Sequence, residues 1–345
     1  MKPFIIPFFL THQGCPHRCL YCDQRCAGGR RAEPLTPEAV DFGIRAGLAS
    51  PRLRPGSRVE AAFFGGTFTA LPRSRQEKLL NAVAQYIQSG RVQGLRLSTR
   101  PDALSPKQID FLKSNKVTNI EIGAQSFDDQ VLRAGQRGHT AAQTRAAGRR
   151  VKAAGLALGL QLLPGLPGEN DDSRAETLRQ TLDLAPDEAR LYPLLVLKGT
   201  PLAELYINGR YQPLTLDQAV GICADMYAPL TKAGTKVIRV GLQDSPKLSA
   251  AVLAGPYHPG FGHLVKSEIF GRAMARVMAF RPAQTPKPAM FVAPSDLAQA
   301  VGDRRRNTIR LSARFGLDEL GLKTDPSLGR GRFRWQGQEY FIYDN

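Results

Sequence analysis

The chain has 345 residues, of which 42% are hydrophobic, and a formal net charge of +17. This length suits one large α/β domain with an appendage, and the composition excludes a disordered chain. No apolar run reaches the roughly 18 residues of a membrane span. Five cysteines, three of them clustered, argue against a disulfide scaffold and favour a reducing compartment, the cytoplasm. The positive charge favours a polyanionic partner, nucleic acid above all, although an arginine-rich proteome would produce the same excess.

Short apolar strands alternate with amphipathic helices along the first 240 residues. Strands are predicted over 4–10, 59–64, 94–99, 118–123, 156–163, 190–197 and 237–240. Helices are predicted over 37–49, 73–88, 105–115, 140–154, 172–184 and 216–233. Such repeated units indicate a parallel sheet with helical crossovers, enough for a partial or full (β/α) TIM-type barrel. Residues 1–245 are expected to form this domain, and residues 246–345 a small, basic α/β extension.

Three cysteines follow the first strand with the spacing C-x3-C-x2-C: Cys15, Cys19 and Cys22. Three thiolates can hold three irons of a 4Fe–4S cluster and leave the fourth iron open to a cofactor or substrate. A structural zinc site needs four ligands, and a ferredoxin-type electron-transfer cluster needs four cysteines, so Cys26, or a nearby histidine in the case of zinc, would then have to supply the fourth. The sequence has no second ligand pair at the spacing of a zinc knuckle, which favours the open cluster.

Glycine- and proline-rich turns follow the predicted strands at the end where a barrel carries its chemistry. These turns are 65–67, 99–102, 123–126, 164–169 and 198–201. Each turn is weak evidence alone, but with the cysteine loop they place six candidate segments on one rim.

The cysteine spacing, Tyr21 before the last cysteine and the Gly65-Gly66-Thr67 turn together resemble the signature of radical S-adenosylmethionine enzymes. Further segments resemble the radical domain of the catalytic subunit of Elongator and its bacterial relatives without an acetyltransferase domain. These segments are 64–68, 99–102, 121–126, 137–140, 192–193 and 198–200. The resemblance extends over residues 4–245.

This resemblance implies a 4Fe–4S cluster on Cys15, Cys19 and Cys22 whose open iron binds S-adenosylmethionine. A one-electron donor such as flavodoxin or ferredoxin would reduce the cluster, and the cofactor would then be cleaved to a 5′-deoxyadenosyl radical.

The resemblance also assigns residues to S-adenosylmethionine. The Gly65-Gly66-Thr67 turn would let the backbone approach the methionyl amine, because glycine has no side chain to clash. Gln125 and Arg137 match positions that contact the ribose region and the methionyl carboxylate, for which a guanidinium is well suited. Tyr21 would pack beside the adenine.

Two cofactor-binding positions depart from the pattern of many relatives. Ser98 stands where a glutamate usually precedes the Thr-Arg-Pro-Asp motif. Gln161 stands where an acidic residue usually lies four positions before the Gly-Leu-Pro turn. Both residues keep hydrogen-bonding capacity and lose negative charge, so cofactor binding is expected to survive.

The last 100 residues show no glycine-rich loop of the acetyl-coenzyme A type, so no acetyltransferase fold is expected there. Helices are predicted over 264–279 and 294–301, and strands over 289–292 and 308–312. His258 and His263 lie in a loop where packing roles are favoured over ligand or acid roles. The arginines at 304–306 and at 330–334, around Trp335, would suit a nucleic-acid backbone and a stacked base.

Three hypotheses follow. The first, favoured by the charge and the Elongator resemblance, is a radical enzyme that modifies a tRNA base. The second is a radical enzyme for a small anionic metabolite, similar to oxygen-independent coproporphyrinogen oxidases. The third is a non-catalytic scaffold for S-adenosylmethionine or RNA, against which the intact cysteine triad argues.

Overall fold

The computed structural model describes residues 3–24 and 34–344. Seven parallel strands form a curled half-barrel in the order β1-β2-β3-β4-β5-β6-β8. Their bounds are β1 Phe4–Leu10, β2 Val59–Gly65, β3 Gly94–Thr99, β4 Asn119–Gln125, β5 Ala157–Leu162, β6 Glu188–Leu191 and β8 Lys236–Val240. The short strand β7 (Val196–Leu197) pairs antiparallel with β9 (Val252–Ala254). The predicted barrel is confirmed in its partial form, because no pairing joins β1 to β8 within the described residues.

Helical crossovers connect the strands of the half-barrel. They are α1 Pro37–Leu48, α2 Arg73–Gln88, α3 Pro106–Ser114, α4 Asp129–Ala134, α5 Ala141–Ala153, α6 Asp171–Leu184, α7 Pro201–Ile207 and α8 Leu216–Lys232. Several begin as the sequence predicts: Thr36 caps α1 ahead of Pro37, and Thr140 forms a capping box with Gln143. Among the described residues, no helix has the length and apolar character needed to cross a membrane.

Alternation along the strands gives the sheet an apolar face and a polar face. Side chains such as Phe63, Leu97 and Ile122 are fully buried against the helices. Their neighbours in sequence point into the concave side of the half-barrel, which we call the lumen. The lumen-facing residues used below are Phe9, Glu60, Phe64, Arg96, Ser98, Glu121, Gln161, Glu188, Arg190 and Arg239.

Residues after 245 form a helical layer and a second sheet. The helices are α9 Pro246–Ala251, α10 Phe261–Phe280, α11 Leu297–Val301 and α12 Arg306–Phe315. The sheet has the order β11-β10-β12-β13, with β10 Ala289–Val292, β11 Gly321–Thr324, β12 Arg332–Trp335 and β13 Gln338–Phe341. Phe270, Phe333 and Trp335 belong to the same buried core as the half-barrel. The boundary between residues 245 and 246 stays a prediction.

Two predicted strands are wrong. The segment 190–197 is split, because β6 ends at Leu191 and the next strand, Val196–Leu197, pairs with β9 in a separate sheet. The segment 308–312 lies inside α12, where Asn307, Thr308 and Leu311 are buried at helical spacing. The Asn307 amide donates to the Ser267 carbonyl (2.7 Å) and so fixes the helix against α10.

Candidate active site

The cysteine loop, residues 11–24, leaves β1 at the carboxyl ends of the strands and carries the three predicted cluster ligands. Cys19 is buried, and Cys15 and Cys22 are half-buried. Burial, together with Cys19 and Cys15, raises the pKa of the Cys22 thiol to about 12. In the part of the chain that the structure describes, no three His, Cys, Asp or Glu side chains converge on one metal ion. A cubane differs from such a site, because each thiolate binds its own iron.

Leu20, at the centre of the cysteine loop, anchors it to two helices. Its N–H donates to the carbonyl of Gly135, at the end of α4 (3.3 Å), and its carbonyl accepts from Leu202 in α7 (2.9 Å). Its side chain is buried among Val131, Leu166 and their neighbours. The thiols therefore lie on a loop whose centre is fixed by both backbone and side-chain contacts.

The Gly65-Gly66-Thr67 turn packs directly against the cysteine loop. The N–H of Thr67 donates to the Gln13 carbonyl (2.8 Å), and its fully buried Oγ1 lies 3.5 Å from Cys15 Sγ. A Cβ atom at Gly66 would lie 2.1 Å from the same Gln13 carbonyl oxygen. Glycine is therefore required at 66 for the loop itself, in addition to the predicted approach of a cofactor.

Gln24 is a site residue that the sequence analysis missed. Its Oε1 accepts from the N–H of His12 (2.6 Å) and from the N–H of Gly66 (3.0 Å). Its own N–H donates to His12 Nε2 (3.1 Å). One side chain thus ties both arms of the cysteine loop to the glycine turn.

Arg137, predicted to contact a carboxylate of the cofactor, lies against the cysteine loop. Its Nη1 donates to Cys19 Sγ (3.0 Å), and its Nη2 donates to the Gly123 carbonyl (2.7 Å). Tyr21 lies close by, and burial raises its pKa above the ordinary value, so its phenol stays protonated. The guanidinium thus places a positive charge beside the Cys19 sulfur, which would have to be a thiolate to bind a cluster.

Gln125 ends β4 in a strained backbone conformation. Its φ is +67°, and the N–H of Ser126 donates to the Ala124 carbonyl across it (2.9 Å), which forms a tight γ-turn. A Cβ atom at Gly123 would lie 2.9 Å from Gln125 Nε2 and 3.1 Å from Arg137 Nη2. The structure therefore brings the two predicted cofactor residues together over Gly123, and strained backbone of the kind seen at Gln125 is enriched at functional sites.

Three buried polar atoms here lack a hydrogen-bond partner among the described residues: Tyr21 Oη, Arg137 Nε and His139 Nδ1. Burial, followed by the charges of Arg137 and Arg100, lowers the pKa of His139 to about 3, so its imidazole is neutral. Buried polar groups are normally satisfied, and a polar ligand would satisfy these. Thiolates are the ligands of iron–sulfur clusters. The residues present therefore fit both S-adenosylmethionine and a cluster.

Ser98 and Gln161, the two departures from the resemblance, lie together in the lumen. Gln161 Nε2 contacts Ser98 Oγ (3.4 Å) and donates to Glu121 Oε2 (3.1 Å). Gly159 makes room for this carboxylate, since a Cβ there would lie 2.9 Å from Glu121 Cγ. A negative charge is thus present beside both positions, although neither residue carries it.

The lumen floor is a buried network of ion pairs that the sequence analysis did not predict. Arg96, 3% exposed, contacts Glu60 (2.7 Å), Glu121 (2.9 Å) and Glu188 (2.7 Å). Burial opposes the charge of Arg96, but these carboxylates, Glu188 foremost, raise its pKa above the ordinary value. Arg190 pairs with the opposite side of Glu121 (2.7 Å). Burial raises the pKa of Glu121, but Arg190 and then Arg96 outweigh it and bring the pKa below its ordinary value.

The C-terminal extension does not present Trp335 for stacking. Its ring is 1% exposed, and its Nε1 donates to the Arg281 carbonyl (2.8 Å), so the prediction of a stacked base on this residue is wrong. His258 Nδ1 accepts from the N–H of Gly260 (3.0 Å), which is a loop-packing role. Arg306 pairs with Asp217 in α8 (2.8 Å).

Comparison with known proteins identifies a family. The family profile of the Radical SAM superfamily matches residues 9–181, and that of the Radical_SAM C-terminal domain matches residues 186–270. The chain is 26% identical over 267 residues to a tRNA uridine(34) acetyltransferase of Dehalococcoides mccartyi, covering 67% of this chain and 57% of that protein. It is 30% identical over 203 residues to Elongator complex protein 3 of Saccharomyces cerevisiae, covering 53% and 36%. The chain thus spans little more than half of such relatives, or less.

Among solved structures, the archaeal Methanocaldococcus infernus Elp3 with an N-terminal deletion shares the fold. The TM-score is 0.62 at 21% identity, over 79% of this chain and 64% of that one. The half-barrel fold and the anchored cysteine loop are both consistent with the family that the profile match identifies. The chain belongs to the radical S-adenosylmethionine superfamily, a class of enzymes whose members use this cofactor with a 4Fe–4S cluster.

Proposed function

We propose that this protein is a radical S-adenosylmethionine enzyme whose Cys15, Cys19 and Cys22 hold a 4Fe–4S cluster with one open iron. The observation that carries the proposal is the Arg137 contact to Cys19 Sγ at the carboxyl ends of parallel strands. These three cysteines would hold the cluster, which on reduction by a one-electron donor such as flavodoxin or ferredoxin would supply the electron for cleavage of S-adenosylmethionine at its C–S bond to methionine and a 5′-deoxyadenosyl radical.

The residues around the cluster loop bind and orient the cofactor in this proposal. Arg137 Nε and the Tyr21 phenol supply donors that are buried and without a partner among the described residues. Gln125 lies beside Arg137 and suits a hydrogen bond to a ribose hydroxyl. The Ser98–Gln161 pair, backed by Glu121, offers further polar contacts on the lumen side. Gly65 and Gly66 leave backbone accessible at the rim.

We propose tRNA as the substrate, in the cytoplasm, with an anticodon uridine as the first candidate. Relatives are named tRNA uridine(34) acetyltransferases, and the net charge of +17 suits a polyanion. The lumen suits a substrate ring without charge, because carboxylates neutralise both Arg96 and Arg190. A tetrapyrrole polycarboxylate would require several unpaired cations, whereas of the lumen-facing arginines 96, 190 and 239 only Arg239 forms no ion pair with a described residue.

The proposal is tested by 5′-deoxyadenosine release from anaerobically reconstituted, reduced protein, with and without tRNA. Release that rises with tRNA, and that heparin does not reproduce, supports the proposal. Cys19→Ala should abolish release. Release that does not change with tRNA would refute tRNA as the substrate and leave the proposed radical chemistry intact. No release from protein with a full cluster would refute the radical chemistry itself.

A further inference from the structure

Two phenylalanines, the exposed Phe9 and the half-buried Phe64, form an aromatic surface in the lumen, directly beside the cysteine loop. Phe9 and Phe64 are register partners at the ends of β1 and β2, one residue before Leu10 and Gly65. Their ring centroids lie 6.4 Å apart at 46°. Phe9 is 41% exposed although Phe8 and Leu10 on either side are buried in the core. A strand interior that leaves a phenylalanine uncovered is typical of a binding surface.

The charged groups around these rings indicate the chemistry of the occupant. The Arg190 guanidinium carbon lies 5.1 Å from the Phe64 ring centroid, and its charge is balanced by Glu121. Across the lumen floor, the glutamates 60, 121 and 188 face the arginines 58, 96 and 190, so the charges balance. The surface therefore suits a planar ring without net charge.

Arg239 supplies a further cation, next to Arg190 on the edge strand opposite β1. It is the register partner of Arg190 on the edge strand β8, and its guanidinium contacts only the neutral Gln243 side chain (3.4 Å). Within the described ranges, 3–24 and 34–344, Arg239 forms no ion pair. A neutral aromatic surface, with a cation next to the Arg190 that contacts it, matches a nucleobase and its flanking phosphate.

We propose that Phe9 and Phe64 stack an unpaired base of the RNA substrate in the lumen, and that Arg239 holds the adjacent phosphate. This inference rests on the proposed function and names the surface that presents the base to the radical. A paired base cannot reach a concave site of this kind, so the base leaves its stack and enters the half-barrel. Phe9 and Arg239 are positioning residues in this account.

The test uses reconstituted protein and an anticodon stem–loop RNA with uridine at position 34, beside the same RNA with an abasic site there. Phe9→Trp places a fluorophore on the surface, and Phe42→Trp places one on the outer face of α1, where Phe42 is 69% exposed. The native Trp335 is buried and gives a constant background. We expect the uridine RNA to quench Phe9→Trp, the abasic RNA to leave it unchanged, and neither to quench Phe42→Trp.

Binding anisotropy completes the test. Phe9→Leu should bind the uridine RNA roughly tenfold more weakly and the abasic RNA as the wild type does. Arg239→Gln should weaken both and lower the salt dependence by about one phosphate contact. Equal quenching by both RNAs, or unchanged binding by Phe9→Leu, would overturn the stacking surface while tRNA remains the substrate. Failure of the wild type to bind either RNA or whole tRNA would overturn the proposed substrate as well.

Discussion

Replacing Arg96 with methionine tests whether the lumen network holds the half-barrel together. Methionine keeps much of the aliphatic stem and removes the guanidinium from three carboxylates. Two of these keep a partner: Glu121 retains Arg190 at 2.7 Å, and Glu60 retains Arg58 at 3.0 Å. Glu188, whose side chain is 15% exposed, has Arg96 as its one ion-pair partner among the described residues.

The expected loss of stability follows from how many of the three carboxylates lose their only ion-pair partner. Removing one partner of a buried ion pair costs about 3–5 kcal/mol, because the other charge is left uncompensated. Since one carboxylate of three loses its partner entirely, we expect the lower end, about 3 kcal/mol. Arg179 is the matched control: it contacts Glu176 and Asp183 at 2.7 Å each, but its side chain is 59% exposed. Arg179→Met should cost about 0–1 kcal/mol.

Urea unfolding of the reconstituted protein, followed by far-ultraviolet circular dichroism, measures both variants against the wild type. Arg96→Met should lower the urea midpoint clearly and Arg179→Met hardly at all. Because domains of this kind have about 5–15 kcal/mol in total, the Arg96 variant should still fold. If the free energies of unfolding of Arg96→Met and Arg179→Met differed by less than about 1 kcal/mol, the reasoning that burial makes the network stabilising would be refuted.

Three further predictions concern the loop, its ligands and one acidic residue. Gln24→Ala should lower the iron content per chain, because it leaves the Gly66 N–H without its acceptor, which costs about 1–3 kcal/mol of loop stability. Gln24→Glu keeps an acceptor oxygen and should retain iron. Equal iron content in the two variants would contradict this prediction. Cys26, which lies outside the described residues, should be dispensable: Cys26→Ala keeps the cluster by iron analysis and Cys19→Ala loses it. Burial raises the pKa of Glu169 to about 7, above its unfolded value, so its contribution to stability is complete below about pH 4.3 and is lost as pH rises to 7. Urea midpoints at pH 5 and 8 should therefore fall less with rising pH in Glu169→Gln than in the wild type, and parallel profiles would count against the shift.

The position of the cysteine loop after β1 could be predicted because the information is local, whereas the cluster on it stays a prediction. Three thiols within eight positions, a glycine turn, and a strand before each of them can all be recognised from local sequence. Gln24 was not predictable in this way, because its contact with Gly66 joins residues 42 positions apart and depends on how the loop folds. Arg137 was found through resemblance, but its contact with Cys19, 118 positions away, needed the fold.

The lumen network was missed although the sequence carries a signal for it. Charged residues inside otherwise apolar strands, such as Glu60, Arg96 and Glu121, are costly unless they meet one another. Taken as an alternating second face, they predict a polar lumen. The error at 308–312 has a different cause: two β-branched residues, Thr308 and Ile309, favour a strand locally, and packing of Asn307 against α10 decides for a helix.

The most direct test of the account is the electron paramagnetic resonance spectrum of the reduced, reconstituted protein before and after addition of S-adenosylmethionine. The account predicts about four irons per chain and a spectrum that changes when the cofactor binds the open iron. A full cluster whose spectrum is unaffected by saturating S-adenosylmethionine would mean that all four irons have ligands. That result would contradict the open site on Cys15, Cys19 and Cys22.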